Sequence, residues 1–234
     1  MQFHRRLAFL LPGIFMAYAA SAQACIEKKP SMQTGTGTAT APDCSQLSGS
    51  FRNGMLHGQG KISRPDGMVE QGEFMRGRLW GKGTVTYSDG RVAEGEFVEG
   101  RLSGQGKLTW PDGRLHEGMF YRGRPAGPGR YRNEKGDISE GMFDGRGQLN
   151  GRGIRTLPDG TKMYGEFRDN SPVGVVTVVK PDGSEEQRSF DAASASQAGS
   201  ARAATGGDAA QGGTTQVIQE VDRAVRSLRS ILGR

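Results

Sequence analysis

Residues 95–117 read GEFVEGRLSGQGKLTWPDGRLHE, and the way this stretch recurs decides the fold. Its Asp112-Gly113 pair has counterparts at Asp66-Gly67, Asp89-Gly90, Asp159-Gly160 and Asp182-Gly183, with Lys135-Gly136 filling the gap. These glycines are spaced 23, 23, 23, 24 and 23 residues apart. A second ladder keeps step: Gly49-Ser50-Phe51, Gly72-Glu73-Phe74, Gly95-Glu96-Phe97, Gly118-Met119-Phe120, Gly141-Met142-Phe143 and Gly165-Glu166-Phe167. A third is the G-x-G step at Gly58/Gly60, Gly81/Gly83, Gly104/Gly106, Gly127/Gly129 and Gly151/Gly153. Three ladders in one phase make the middle of the chain an internal repeat.

Composition agrees with a chain that spends glycine at fixed places. Gly supplies 38 of 234 residues, about twice the usual share of roughly 7%. Leu, Ile, Val and Phe together reach only about 18%, too little for one large enzyme core and close to the disorder boundary. Glycine does not recur at every third position, which excludes collagen.

Within one unit, Asp-Gly between short alternating runs predicts a hairpin closed by a type I′ turn. Thr84–Tyr87 then pairs back onto Arg91–Glu94, with Tyr87 opposite Val92, Trp110 opposite Leu115 and Asn133 opposite Ile138. Val85/Glu94, Leu108/Glu117 and Tyr131/Glu140 follow as the next pairs on that face. Gly77, Gly100 and Gly123 mark the return turn, where the left-handed region favours Gly or Asn; Asn170 takes that place in the last unit.

The pattern from Gly49 to Gln187 resembles MORN (membrane occupation and recognition nexus) repeats, in six copies. The resemblance implies hairpins stacked into an elongated, twisted, curved antiparallel sheet. It also implies a scaffold or partner-binding role, with lipid binding claimed for some members. The family usually has Tyr two residues before the repeat Gly, where this chain has Glu70, Ala93, His116, Ser139 and Met163.

The flanks differ in kind. Residues 1–24 place Arg5-Arg6 before the apolar run LAFLLPGIFMAYAA and end in small residues, the order of a secretory signal peptide. The expected destination is the periplasm, or secretion. Residues 25–48 read as an N-terminal linker holding both cysteines, Cys25 and Cys44, which an oxidising compartment would bridge. The alternative is lipid attachment at Cys25, since Ala22–Cys25 loosely resembles a lipobox. After the array (49–190), residues 191–213 contain 17 Ala, Gly or Ser among 23, a flexible linker. Residues 214–234 form the last segment: Ile218, Val221, Val225, Leu228 and Leu232 fall at helical spacing, predicting an amphipathic docking helix. Its candidate surfaces are its own sheet, a second copy in a weak homodimer, or a membrane.

For chemistry the sequence offers little. Glu73, Glu94, Glu96, Glu117, Glu140 and Glu166 recur at repeat positions, as cross-strand pairing residues do, whereas catalytic carboxylates need individually tuned surroundings. His4, His57 and His116 share no metal-ligand spacing, and no nucleophile elbow or Walker loop occurs. No catalytic residue, metal, cofactor or nucleic acid is expected. Two binding features remain. Arg78, Arg101 and Arg124 occupy one position in successive repeats, a cationic row stepping about 10 Å. That edge could meet a partner, anionic phospholipid or another anionic envelope polymer, or simply protect a sheet edge. Tyr87, Val92, Trp110 and Leu115 are the candidate sheet-face contacts for a protein partner. The expectation is a non-enzymatic envelope scaffold, with anionic binding through edge and tail as the alternative.

Overall fold

The computed structural model describes residues 34–190, together with Ile218, Gln219, Arg223 and Arg226 in the tail. Among the described residues, one antiparallel sheet holds fourteen strands in chain order, each paired only with its sequence neighbours. They are β1 (Thr34–Thr40), β2 (Gln46–Arg52), β3 (Met55–Ser63), β4 (Val69–Met75), β5 (Arg78–Thr86), β6 (Val92–Val98) and β7 (Arg101–Thr109). The second half is β8 (Leu115–Tyr121), β9 (Arg124–Arg132), β10 (Ile138–Phe143), β11 (Leu149–Thr156), β12 (Lys162–Arg168), β13 (Ser171–Val179) and β14 (Glu185–Phe190). Within the expected linker lies a strand: the alternating Thr/Gly run of β1 pairs along its length with β2. The expected signal segment and Cys25 lie outside the described residues.

The two kinds of turn are exchanged relative to the sequence expectation. Both loop residues have positive φ at Asn53-Gly54, Arg76-Gly77, Glu99-Gly100, Arg122-Gly123 and Asp169-Asn170, so the I′-like turns are the return turns. At the Asp-Gly ends the loop is one residue longer. Tyr87 N–H donates to the Arg91 carbonyl at 2.8 Å and Gly90 N–H to the Tyr87 carbonyl at 3.0 Å. Only Gly90 is left-handed there, the geometry of a type I turn followed by a glycine bulge. Asp89 instead uses its side chain, accepting from Arg91 N–H at 3.1 Å, and this bond holds its carboxyl below the usual range. Asp66, Asp112, Asp159 and Asp182 make the same backbone contact two residues on.

That extra loop residue shifts the pairing by one. Val92 lies opposite Thr86, Ala93 opposite Val85 and Glu94 opposite Thr84; Leu115 lies opposite Thr109 and Glu117 opposite Lys107. Arg132 faces Ile138, and Arg130 faces Glu140. The shift moves the apolar residues Val85, Ala93, Leu108 and Phe97 onto one side, which we call the packed face.

A single-layer sheet builds a core on that face by laying side chains over glycine rows. Gly72 sits opposite Gly83, and beyond them Phe74 pairs with Leu79, leaving Trp80, Gly81 and Lys82 looped against Glu73. A Cβ at Gly83 would lie 3.0 Å from both Leu79 methyls, so Leu79 occupies the space that a side chain would fill. The residue pairs Phe51/Leu56, Phe74/Leu79 and Phe97/Leu102 repeat this packing and are all buried. Each such side chain contributes about 1.5–3 kcal/mol through burial.

The Asp-Gly bulge gives a first testable consequence. Gly113→Val is expected to cost more than about 1 kcal/mol, because φ is +86° there although nothing lies within 4 Å. The same change at Gly207 should be silent in urea melts, and equal costs at both sites would refute the turn assignment.

Candidate interaction face

The side opposite the packed face is the open face, and its residues follow from strict alternation and register. One row across it reads Lys61, Gln71, Thr84, Glu94, Lys107, Glu117, Arg130 and Glu140, each opposite the next. Opposite charges alternate from Glu94 to Glu140, as cross-strand pairing favours. Arg130 and Glu140 close to 3.8 Å, and Arg152 meets Glu166 at 3.4 Å on the same face. These carboxylates pair with bases across the ladder, the structural role expected of the recurring Glu.

The row then changes character. Glu140 faces Ile154, Ile154 faces Tyr164 and Tyr164 faces Thr177. Where Gln71 and Glu94 are exposed, these four are buried, with Ile154 at 3% and Tyr164 at 5% of full exposure. Val179 and the tail residue Ile218 pack against Ile154 and Tyr164. The remaining members of the expected docking helix (Val221, Val225, Leu228 and Leu232) lie outside the described residues.

The exposed large apolar side chains are Met55, Trp80, Val98, Tyr121, Met142 and Val175. All six fall on the open face, because each precedes or follows a packed-face residue such as Leu56, Leu79, Phe97 or Phe120. Tyr121 is the most exposed of them at 63%, with the Arg122 guanidinium 5.3 Å from its ring centre.

The four candidate face contacts are divided between the two sides. Tyr87 and Trp110 pack against the buried core cluster. Arg91 stacks over Tyr87 at 4.8 Å and Arg114 over Trp110 at 5.1 Å, while Tyr131 meets Trp110 edge-on. Val92 and Leu115 lie on the open face, opposite Thr86 and Thr109. The two-residue turn expected at Asp-Gly would have put all four on one face; the three-residue loop separates them. Arg78, Arg101 and Arg124 do form a row, each the first residue of β5, β7 and β9 beside a return turn, and all are exposed. Glu99 approaches Arg78 at 3.8 Å, an exposed pair.

The positions where the family usually has Tyr belong to the packed face. Glu70 is buried there and holds Arg64 at 2.6 Å. His116 is 1% exposed, wedged edge-on between Phe120 at 5.3 Å and Phe143 at 4.6 Å. Its Nε2 has no hydrogen-bond partner among the described residues, and burial pushes its pKa down to about 4. Among the described residues no group of three or more His, Cys, Asp or Glu could hold a metal ion, and no helix is long and apolar enough to cross a membrane.

No curated protein matches the chain significantly. Among solved structures, the SAS-4 (dCPAP) TCP domain in complex with a proline-rich motif of Ana2 (dSTIL) of Drosophila melanogaster is 14% identical, with a TM-score of 0.46 over 79% of this chain and 99% of that one. The wild-type TCP10 domain of Danio rerio CPAP is 19% identical, with a TM-score of 0.30 over 70% and 94%. Scores this low carry no argument about function. The MORN-repeat family model matches residues 48–69, 71–90, 94–113, 116–138 and 140–162. The central sheet of this protein is thus built of MORN repeats, five by that match, and continues on both sides in the same antiparallel order.

Proposed function

We propose that this protein is a non-enzymatic, exported scaffold that binds a protein partner through the open face of its MORN sheet. The observation that carries the reading is the gathering of Met55, Trp80, Val98, Tyr121, Met142 and Val175 on one side of a single-layer sheet. Aromatic anchors set among paired charges are the composition of a partner surface, since Trp and Tyr supply most binding energy where they are desolvated. Repeat arrays present such surfaces because every unit adds the same strip.

Export rests on the leader-like order of residues 1–24 and on cysteine usage. Cys44 sits in the β1–β2 turn at φ 66°, and no described cysteine is free. Cys25 is the only other cysteine in the chain, so a Cys25–Cys44 bridge is the pairing we propose. Acylated Cys25 in the mature protein would replace that bridge with a lipid anchor.

The exposed row of Arg78, Arg101 and Arg124 favours a second reading, in which this edge and the basic tail meet anionic phospholipid or another anionic envelope polymer. Salt separates the two. Crosslinking capture from envelope extract should recover a partner that tolerates moderate salt and is lost with Trp80→Ser or Tyr121→Ser. Pelleting with anionic vesicles that fades as salt rises, and that follows Arg101→Ser instead, would transfer the function to the basic edge.

A further inference from the structure

We infer that the C-terminal tail is a built-in occupant of the open face, seated in cis over β10–β13 through the apolar stripe that begins at Ile218. The glycine rows that let side chains bury one another lie on the packed face, so burial on the open face of this single layer points to a cover from outside the sheet. In the middle of the row Gln71 and Glu94 are exposed, and Lys107 and Glu117 are half-buried. At the same register positions Glu140, Ile154, Tyr164 and Thr177 are buried. The covering group is identified at one point, where Ile218 packs on the cluster of Ile154 and Tyr164.

The sequence of the sheet is fitted to this cover. The charge ladder Lys107–Glu117–Arg130–Glu140 stops where Ile154 and Tyr164 replace the next pair, and Thr177 and Val179 continue the apolar patch. A bare patch of this kind on a wet sheet would be costly, and the five-residue stripe of the tail is the matching apolar element. From Ile218 to Leu232 a helix would run about 21 Å. The four strands that carry the patch span about 14 Å. The tail is basic, with Arg223, Arg226, Arg229 and Arg234 against Glu220 and Asp222, and the patch ends on the buried carboxylate Glu140.

Connectivity selects the cis arrangement. The patch is centred two strands from β14, about 10 Å away. As a flexible coil, the 23 residues from 191 to 213 would reach about 25 Å. At that tether length the tail of the same molecule is presented at an effective concentration near the millimolar range, far above that of a second copy in dilute solution. Cis docking leaves β3–β9, with Trp80, Val98 and Tyr121, free for the partner of the proposed function, but the inference does not depend on that partner.

Hydroxyl-radical footprinting of the full chain tests it without any partner, with Tyr121 as the exposed internal standard. In the wild-type protein Tyr164 should be labelled about tenfold more slowly than Tyr121, following exposures of 5% and 63%. Ile218→Asp, and independently Leu228→Asp, should bring the two tyrosines within about twofold while leaving Tyr87 unchanged. Protection should persist on dilution. Equal labelling of Tyr164 in the wild type and both variants would overturn the inference. Protection that fades with dilution would also overturn it, by assigning the cover to a second copy.

Discussion

Gly72→Val is expected to lower the unfolding free energy by about 4 kcal/mol, a loss its counterparts Gly49, Gly95 and Gly118 should share. Two penalties coincide there. The residue holds φ at +145°, which a β-branched side chain rarely adopts, and its Cβ would stand 2.4 Å from the Lys82 carbonyl oxygen and 2.5 Å from Gly83 Cα. The obstacle is backbone of the neighbouring strand, so no rotamer relieves it. Either β4 and β5 separate or the bulge around Trp80–Lys82 rebuilds, and both release Phe74 and Leu79 from the packed face. Gly67→Val is the matched control, with φ +88° and nothing within 4 Å, and should cost about 1–2 kcal/mol. Urea melts of the two variants should therefore be well separated. Coincident midpoints would show that close strand approach does not hold the repeat together.

Acid is expected to weaken the protein through His116, in a pH range where carboxylates are still ionised. Its folded pKa is about 4 against an ordinary 6.5, because burial among Phe120, Phe143 and Tyr131 disfavours the imidazolium. The unfolded chain thus binds the proton first, and stability falls as pH drops from 6.5 toward 4. The full loss is about 3 kcal/mol, at 1.36 kcal/mol per unit. The turn aspartates act lower: Asp89, Asp112 and Asp159 have depressed pKa values from backbone N–H bonds, so their contribution disappears only below the usual carboxylate range. His116→Leu should flatten the profile between pH 6.5 and 4 while leaving the lower limb intact. A variant whose melting point falls as steeply as that of the wild type over that interval would locate the acid sensitivity elsewhere.

The repeat and the return turns could be read directly from spacing, and the stacking of hairpins into one sheet was what the resemblance to MORN repeats implied. Asn170 at φ 67° takes the place of a glycine as its chemistry suggests. The register could not be read from Asp-Gly alone, since that dipeptide suits both a two-residue I′ loop and a three-residue loop with a glycine bulge. Pro111 held the missing signal. In a two-residue loop it would have to close the hairpin with an N–H that proline lacks, whereas φ near −65° suits the first corner of a type I turn. Pro65, Pro158 and Pro181 repeat the hint before their own Asp-Gly pairs. The partition of Tyr87 and Trp110 from Val92 and Leu115 follows from that single residue of slip. β1 was concealed by composition, because alternating Thr and Gly looks like a linker until a neighbouring edge needs a strand. The patch at Ile154 and Tyr164 was visible as a break in the charge ladder, but only once the correct pairing defined the ladder.

Because every strand bonds only its immediate predecessor and successor, β1 and β14 lie at opposite extremes of a stack about 60 Å long. A pull applied between those ends runs along the hydrogen bonds and opens them one ladder at a time, rather than shearing many at once. Each hairpin that yields adds about 23 residues of slack, on the order of 80 Å when drawn out. Under tension the sheet would behave as a soft, stepwise extensible tether between whatever holds β1 and whatever holds β14.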